Sequence, residues 1–326
     1  MNLPVIPSFQ GFGKENFNSF SRDLFLYQIE QNQVYRNFVN NTHRTESDLS
    51  DAALFPFLPI GFFKTHEVYC GYARPPLYFE SSGTGRQTVS KHYLKDLTIY
   101  EASFLQQFHQ QYGPPDHWCI MGLLPSYLER SHSSLVYMVE SLMKLSNHPS
   151  NGFYLHNHDA LFHTLSSLES IGQKTVLFGT TFALLDFSEK YSLPLSHTVL
   201  IETGGMKGRR EELLREQVHE QLKKAFPEAG IHSEYGMTEL CSQAYAKENG
   251  LFFCPPWMKV LVRDEDDPFR ITYTGKGALN IIDLANVYSC AFIATDDVGE
   301  VFEDGSFKVL GRMDNSDIRG CSLLTL

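Results

Sequence analysis

The chain has 326 residues, 42% of them hydrophobic and 20% charged, and a formal net charge of −11. That composition builds a sizeable core and excludes a mainly disordered chain, a coiled coil and a collagen-like fibre. An acidic surface repels phosphate backbones and anionic lipid, so neither nucleic acid nor membrane insertion is expected.

The length fits about two domains, or one large α/β body with a smaller appendage. The first seventeen residues show no basic region followed by an apolar run. The longest uncharged apolar stretch, residues 118–128, is too short to cross a bilayer. Six cysteines (Cys70, Cys119, Cys241, Cys254, Cys290 and Cys321) show no Cys-x-x-Cys spacing, and disulfide frameworks belong mainly to small scaffolds. A soluble cytoplasmic protein with free thiols is expected.

In chain order, residues 1–55 are polar and aromatic and read as helices and loops laid over a core. Residues 77–79 read as a short strand, and 118–124 as a buried strand ending at Pro125. Residues 175–178 and 198–201 are further β-branched runs. Helices are predicted over 93–111, 134–145, 159–171 and 209–226. In the last, Leu214, Val218, Leu222 and Phe226 recur every four residues, and Pro227 closes it. Strands alternating with helices predict an α/β core over 1–250 with a largely parallel sheet. After residue 251 the strand-like stretches 258–263, 269–273, 279–284 and 290–294 predict a smaller, mostly β region through 326.

Four stretches carry candidate chemistry. Ser81-Ser82-Gly83-Thr84-Gly85-Arg86 follows a strand, and such a loop can wrap backbone N–H groups around a phosphate. A surface turn has the same composition, and no Walker pattern occurs. Glu202-Thr203-Gly204-Gly205-Met206-Lys207 ends a predicted strand, where ligands of open α/β sheets bind. Tyr235-Gly236-Met237-Thr238-Glu239 sets a ring, a turn, a hydroxyl and a carboxylate within five positions. That suits a base, a phosphate and Mg²⁺, although a capped helix start also fits. Thr295-Asp296-Asp297-Val298-Gly299 precedes a hairpin turn at Asp304-Gly305 and then Gly311-Arg312. A carboxylate there can accept both hydroxyls of a ribose, with an arginine beside it. A charged surface hairpin is the ordinary alternative.

The order and spacing of these stretches resemble the adenylate-forming superfamily of AMP-forming acyl- and aryl-CoA ligases, over residues 77–324. Within it the chain looks most like bacterial acyl-protein synthetases, through residues 201–208 and the ending Arg319-Gly320-Cys321-Ser322-Leu323-Leu324. The resemblance implies that Ser81, Ser82, Gly83, Thr84 and Gly85 cradle the β- and γ-phosphates of ATP. Gly204, Gly205 and Met206 would line the adenine and acyl pocket, with His132 at the acyl gate. Tyr235 and Gly236 would meet adenine, Thr238 the α-phosphate, Glu239 the Mg²⁺, and Asp297 with Arg312 the ribose. The phosphate loop is one residue shorter than the family pattern and lacks its Pro-Lys, although Lys91 follows. The family's mobile C-terminal lid, with its adenylation lysine, would be absent.

The resemblance implies a two-step reaction: a carboxylic acid, expected to be fatty, becomes an acyl-adenylate, and a thiol takes the acyl group. Cys321 sits at the acceptor position, and the neighbouring Arg312 and Arg319 would favour its thiolate. Alternatively CoA, or the phosphopantetheine of an acyl-carrier protein, accepts the acyl group directly, or the chain is a non-catalytic nucleotide-binding subunit. A reductase or acyltransferase is the downstream partner expected. His156, His158, Asp159 and His163 cluster without a zinc-protease pattern, the acidic run 264–267 lacks a calcium-loop glycine, and Asn40-Asn41-Thr42 is a glycosylation sequon with no secretion signal.

Overall fold

The computed structural model describes residues 9–42, 51–82, 88–126, 128–204, 215–264 and 266–313. They form two compact units, one of residues 12–74 and 256–313, the other of residues 75–255 with 9–11. The first unit opens with helices α1 (Phe17–Gln31) and α2 (Gln33–Asn41), strand β1 (Leu58–Pro59) and the short helix α3 (Phe62–Thr65). The second runs β2 (Leu77–Glu80), β3 (Lys91–Leu94), α4 (Leu97–Tyr112), β4 (Cys119–Leu123), α5 (Ser134–Ser146), β5 (Gly152–Phe153) and α6 (His158–Ser170). It continues with β6 (Thr175–Thr180), α7 (Thr181–Ser188), β7 (Thr198–Thr203), α8 (Arg215–Ala225), β8 (Gly230–Tyr235) and β9 (Ala244–Ala246). The chain then re-enters the first unit with β10 (Met258–Arg263), β11 (Ile271–Thr272), β12 (Gly275–Asp283), β13 (Phe292–Val301) and β14 (Phe307–Arg312). The fold is α/β with a smaller β-rich region.

The main sheet of the 75–255 unit has the order β5-β4-β6-β7-β8-β9. All its pairings are parallel except that of β9. Alternate side chains leave a strand on opposite faces. Met121, Leu177, Leu200 and Ile231 share a core with Leu161 and Leu165 of α6, Leu184 of α7, and Val218 and Leu222 of α8. The four-residue spacing read from the sequence is the stripe of α8 that meets this core. On the other face, Met143 of α5 lies 3.6 Å from where a Cβ on Gly122 would project. Asp96, Ser133, Asn157 and Thr180 cap α4, α5, α6 and α7 by accepting a backbone N–H of the first turn,.

Two elements differ from the sequence pattern. Residues 93–94, expected within a helix, belong to β3, which pairs antiparallel with β2. Both side chains are buried, and Asp96 starts the helix only at Leu97. The helices before residue 55, expected over the 1–250 core, lie in the unit of the late strands. Their rings explain it: Phe25 stacks on Phe55 at 5.2 Å, and Phe55 meets Phe292 of β13 at 4.9 Å. The Gln28 amide of α1 also donates to the carbonyls of Asn286 and Val287 and accepts from Ala291 N.

The sheet of this first unit has the order β1-β13-β12-β10-β11, with β14 on β13. Ala278 pairs with Val298 and Asn280 with Ala294, so residues 295–297 of β13 bulge against Leu279 alone. Thr295 Oγ1 donates to the Leu279 carbonyl at 2.7 Å, and Asp297 N donates to Thr295 Oγ1 at 3.2 Å. Such a bulge re-aims a side chain out of the regular pleat. Among the described residues no helix is long and apolar enough to cross a membrane, and the five described cysteines form no disulfide with one another.

Candidate nucleotide site

The 75–255 unit gathers three of the four stretches. Ser81 follows β2, and the loop it opens is closed at its base: Ser81 N donates to the Ser90 carbonyl at 3.1 Å, and Ser90 N to Ser81 Oγ at 3.0 Å. Ser82 is exposed just beyond this closure. Gly83, Thr84 and Gly85 lie outside the described residues. In the β2–β3 ladder Phe79 pairs with His92, and His92 Nδ1 donates to the Thr238 carbonyl at 2.8 Å. That bond ties the base of the serine-rich loop to the Tyr235–Glu239 stretch, which the sequence separates by 146 positions.

Tyr235 is the last residue of β8. The next residues form turns rather than a helix, so Thr238 is no helix cap. The Tyr235 ring packs on Phe252 at 5.8 Å, and Glu239 is buried. A Cβ on Gly236 would lie inside the contact radius of the Glu234 carboxylate. A larger residue here would have to displace that carboxylate.

Gly204 ends β7 beside β8, whose Glu234 pairs with Thr203. It holds φ +83°, a left-handed conformation that glycine adopts without strain. Thr181 Oγ1 lies 2.8 Å from the Gly204 carbonyl and 2.9 Å from Glu202 Oε2. Gly205 and Met206 lie outside the described residues. His132 stacks on Tyr78 at 4.4 Å, and its backbone carbonyl accepts from Glu80 N at 2.7 Å. It thus stands on β2, one step before Ser81. Lys91 pairs with Glu80 at 3.5 Å.

Asp297 and Arg312 belong to the other unit. They pair across β13 and β14, with Arg312 Nε 3.5 Å from Asp297 Oδ1. The Asp304-Gly305 turn joins those strands. Cys321 lies outside the described residues.

Residues outside the motif roles shape this site. Glu202 is held by Arg215 Nε at 2.9 Å and by His219 Nε2 at 3.8 Å. Burial alone would raise its pKa, but His219 and Arg215 outweigh burial and hold it down to about 2. Glu234 accepts from Thr203 Oγ1. Burial, reinforced by Glu202, pushes its pKa up to about 7. Two carboxyl groups at neighbouring strand ends thus hold opposite protonation tendencies, a pattern common at functional sites. Glu202 stood in a motif, Glu234 lay one position before another and was not singled out, and the burial of neither was legible. His92 carried no sequence signal.

Among the described residues no three His, Cys, Asp or Glu side chains form a metal cluster, the His156–His163 stretch included. Magnesium commonly takes only one or two carboxylates and fills its shell with water and phosphate oxygens. Glu239, a buried carboxylate next to Thr238 in the chain, supplies one carboxylate of that kind.

No protein-family profile matches the chain, and no curated protein does. Solved structures do. A 2-hydroxyisobutyryl-CoA ligase in the postadenylation state, bound to 2-HIB-AMP, aligns with TM-score 0.67 at 13% identity over 93% of this chain and 68% of its own. ATP-bound MatB from Rhodopseudomonas palustris aligns with TM-score 0.54 at 18% identity over 74% of this chain. O-succinylbenzoate coenzyme A synthetase from Bacillus subtilis, bound to ATP and magnesium, aligns with TM-score 0.51 at 15% identity over 72%. The chain spans 49% of each of the last two proteins. At such identities the likeness is one of fold: the chain shares the α/β architecture of these proteins.

Proposed function

We propose that this chain uses ATP to activate a carboxylic acid as an acyl-adenylate and passes the acyl group to a thiol. In the first step a carboxylate oxygen bonds to the α-phosphorus as the bond to pyrophosphate breaks. Ser81, Ser82, Gly83, Thr84 and Gly85 hold the outgoing phosphates, and Thr238 meets the α-phosphate. Tyr235 and Gly236 take the adenine. Gly204, Gly205 and Met206 line the adenine and acyl pocket, with His132 at its acyl end. Mg²⁺ on Glu239 would neutralise charge on the phosphates. Catalysis of this kind rests on positioning and on charge neutralisation. In the second step a thiolate sulfur bonds to the carbonyl carbon, and AMP departs with the bonding pair. We assign that thiolate to Cys321 and the acid to the fatty class, as in acyl-protein synthetases.

The observation that carries this reading is the His92–Thr238 bond, which holds the serine-rich loop and the Thr-Glu pair to one ladder. The test is acid-dependent exchange of labelled pyrophosphate into ATP across fatty and aromatic acids. Exchange is expected with at least one fatty acid, and Glu239→Gln should lower it by about a hundredfold. ATP binding with no exchange on any acid would leave a nucleotide-binding subunit instead. Labelled acyl groups should stay on the denatured protein and vanish in Cys321→Ser. Retention by that variant would remove Cys321 as acceptor.

A further inference from the structure

The first unit holds a cavity of about 230 Å³ lined by none of the residues assigned above. Its walls are chiefly apolar and include Phe38 of α2, Phe55, Phe57, Phe269 and Ile271. Thr42 also lines it, but its hydroxyl donates to the Val39 carbonyl at 2.7 Å. Two other polar side chains line it, Arg263 of β10 and Asn280 of β12. Arg263 Nη1 donates to Asn280 Oδ1 at 3.0 Å, and Nη2 donates to the Thr295 carbonyl at 2.9 Å.

A guanidinium only donates. The amide oxygen of Asn280 must therefore face Arg263, which fixes Nδ2 on the opposite side. Asn280 is fully buried, and among the described residues its Nδ2 has no acceptor. The guanidinium keeps three further N–H groups, and no described carboxylate lies within ion-pair distance of it. Asp296 acts on it only at longer range, and burial disfavours its charge. An apolar chamber thus meets a half-buried cation whose remaining N–H groups have no acceptor among the described residues. What that cation lacks is an anionic acceptor with two oxygens, and a guanidinium is shaped to bind a carboxylate.

We propose that this cavity binds a medium-chain carboxylate, its alkyl tail among the phenylalanines and its head group on the N–H groups that Arg263 keeps. A volume of about 230 Å³ holds roughly eight non-hydrogen atoms at ~30 Å³ each. Hexanoate fits within it, and octanoate reaches its rim at Phe269, a half-exposed ring. The site needs no nucleotide and stands apart from acid activation.

The test is calorimetric titration of octanoate into the full chain without ATP. Saturable binding is expected, at least tenfold tighter than that of 1-octanol. Arg263→Gln should erase the preference for the acid over the alcohol. Ile271→Trp, which fills the chamber from the strand position paired with Arg263, should abolish binding while melting within a few degrees of the parent. No saturable binding to the parent, or unchanged binding to both variants, overturns the proposal. So does loss of octanoate binding in Glu239→Gln, because the signal would then come from the acid-activating site. Failure of pyrophosphate exchange alongside Arg263-dependent binding would sink the enzymatic reading and leave this one standing.

Discussion

Both units bury polar side chains, and they deploy them differently. In the 12–74 and 256–313 unit, Gln28 and Asn32 act as struts: their amides donate to the carbonyls of Asn286, Val287 and Ser289. Each strut satisfies backbone that would otherwise be stranded without water. In the 75–255 unit the buried carboxyls of Glu202 and Glu234 instead stand side by side at the carboxyl ends of β7 and β8. Struts close their hydrogen bonds locally and stay neutral. The carboxyl pair carries charge to the sheet edge where ligands of parallel sheets bind. Burial thus serves support at Gln28 and Asn32 and shapes a candidate site at Glu202 and Glu234.

If that contrast is right, breaking a strut should cost most in stability and nothing specific in chemistry. Gln28→Leu removes its bonds to two carbonyls and one N–H and leaves the Val287 carbonyl only the weak Cys70 thiol donor, at about 1–3 kcal/mol for each group left unpaired, and these losses do not add fully. We expect a loss of about 4 kcal/mol in urea unfolding. A loss below about 1 kcal/mol would show that the 286–291 turn satisfies itself without α1.

The second effect depends on pH. Glu234 has its folded pKa raised to about 7 from an ordinary 4.5. Below the ordinary value both folded and unfolded chains hold the proton. Between the two values the unfolded chain has released it and the folded chain has not, so stability falls as pH rises, levelling off above the folded pKa. The fall amounts to about 3 kcal/mol. Glu234→Gln cannot ionise, so its stability should be flatter by that amount between pH 5 and pH 8. Glu202 does not confuse this window, because its folded pKa is near 2 and it stays charged throughout. Identical pH slopes in parent and variant would remove Glu234 as the buried acid.

Arg215→Met comes next, at about 2 kcal/mol near neutral pH, since it strands the nearly buried Glu202 carboxylate. Part of that loss is the stacking of Arg215 over the Phe252 ring at 4.8 Å. A carboxylate with a depressed pKa stabilises above its unfolded value, and the contribution disappears as pH falls through the folded one. The gap between parent and Arg215→Met should therefore narrow from about pH 4.5 towards pH 2. A gap constant in pH would assign the whole effect to packing on Phe252.

How much of this was legible in the sequence follows from the reach of each interaction. β4, β6 and β7 are short apolar runs between amphipathic helices, and local period alone marks them. β8 escaped because His232, Ser233 and Glu234 make its centre polar, and their partners sit elsewhere in the chain: Tyr112, His219 and Thr203. Placing α1 and α2 needed the partners of Gln28, some 258 positions away. Three of the candidate motifs could be singled out because each packs its residue types into five or six contiguous positions, whereas Asp297 and Arg312 meet only through the β13–β14 register. What joins them, the His92–Thr238 bond, is a single long-range contact that no local pattern encodes. The Arg263–Asn280 pair is likewise a cross-strand relation, invisible until β10 and β12 are set in register.

The smallest effect on the fold tests the site most sharply. Ser81 Oγ accepts from Ser90 N at the base of the proposed phosphate loop. Ser81→Ala removes that bond, and the Ser90 residue it leaves is nearly inaccessible to water. A single lost hydrogen bond of this kind costs about 1 kcal/mol, so urea unfolding should change little. Pyrophosphate exchange should fall much further, by about tenfold or more, because the loop would lose the closure that orients its N–H groups. Thr272→Ala, which removes a bond from Thr272 Oγ1 to the Thr274 carbonyl at an exposed turn of the other unit, is the matched control. It should lose comparable or less stability and keep its exchange. Equal loss of exchange in both variants would mean that stability, not loop closure, governs the reaction, and the contrast between a supporting and a site-bearing unit would fail there.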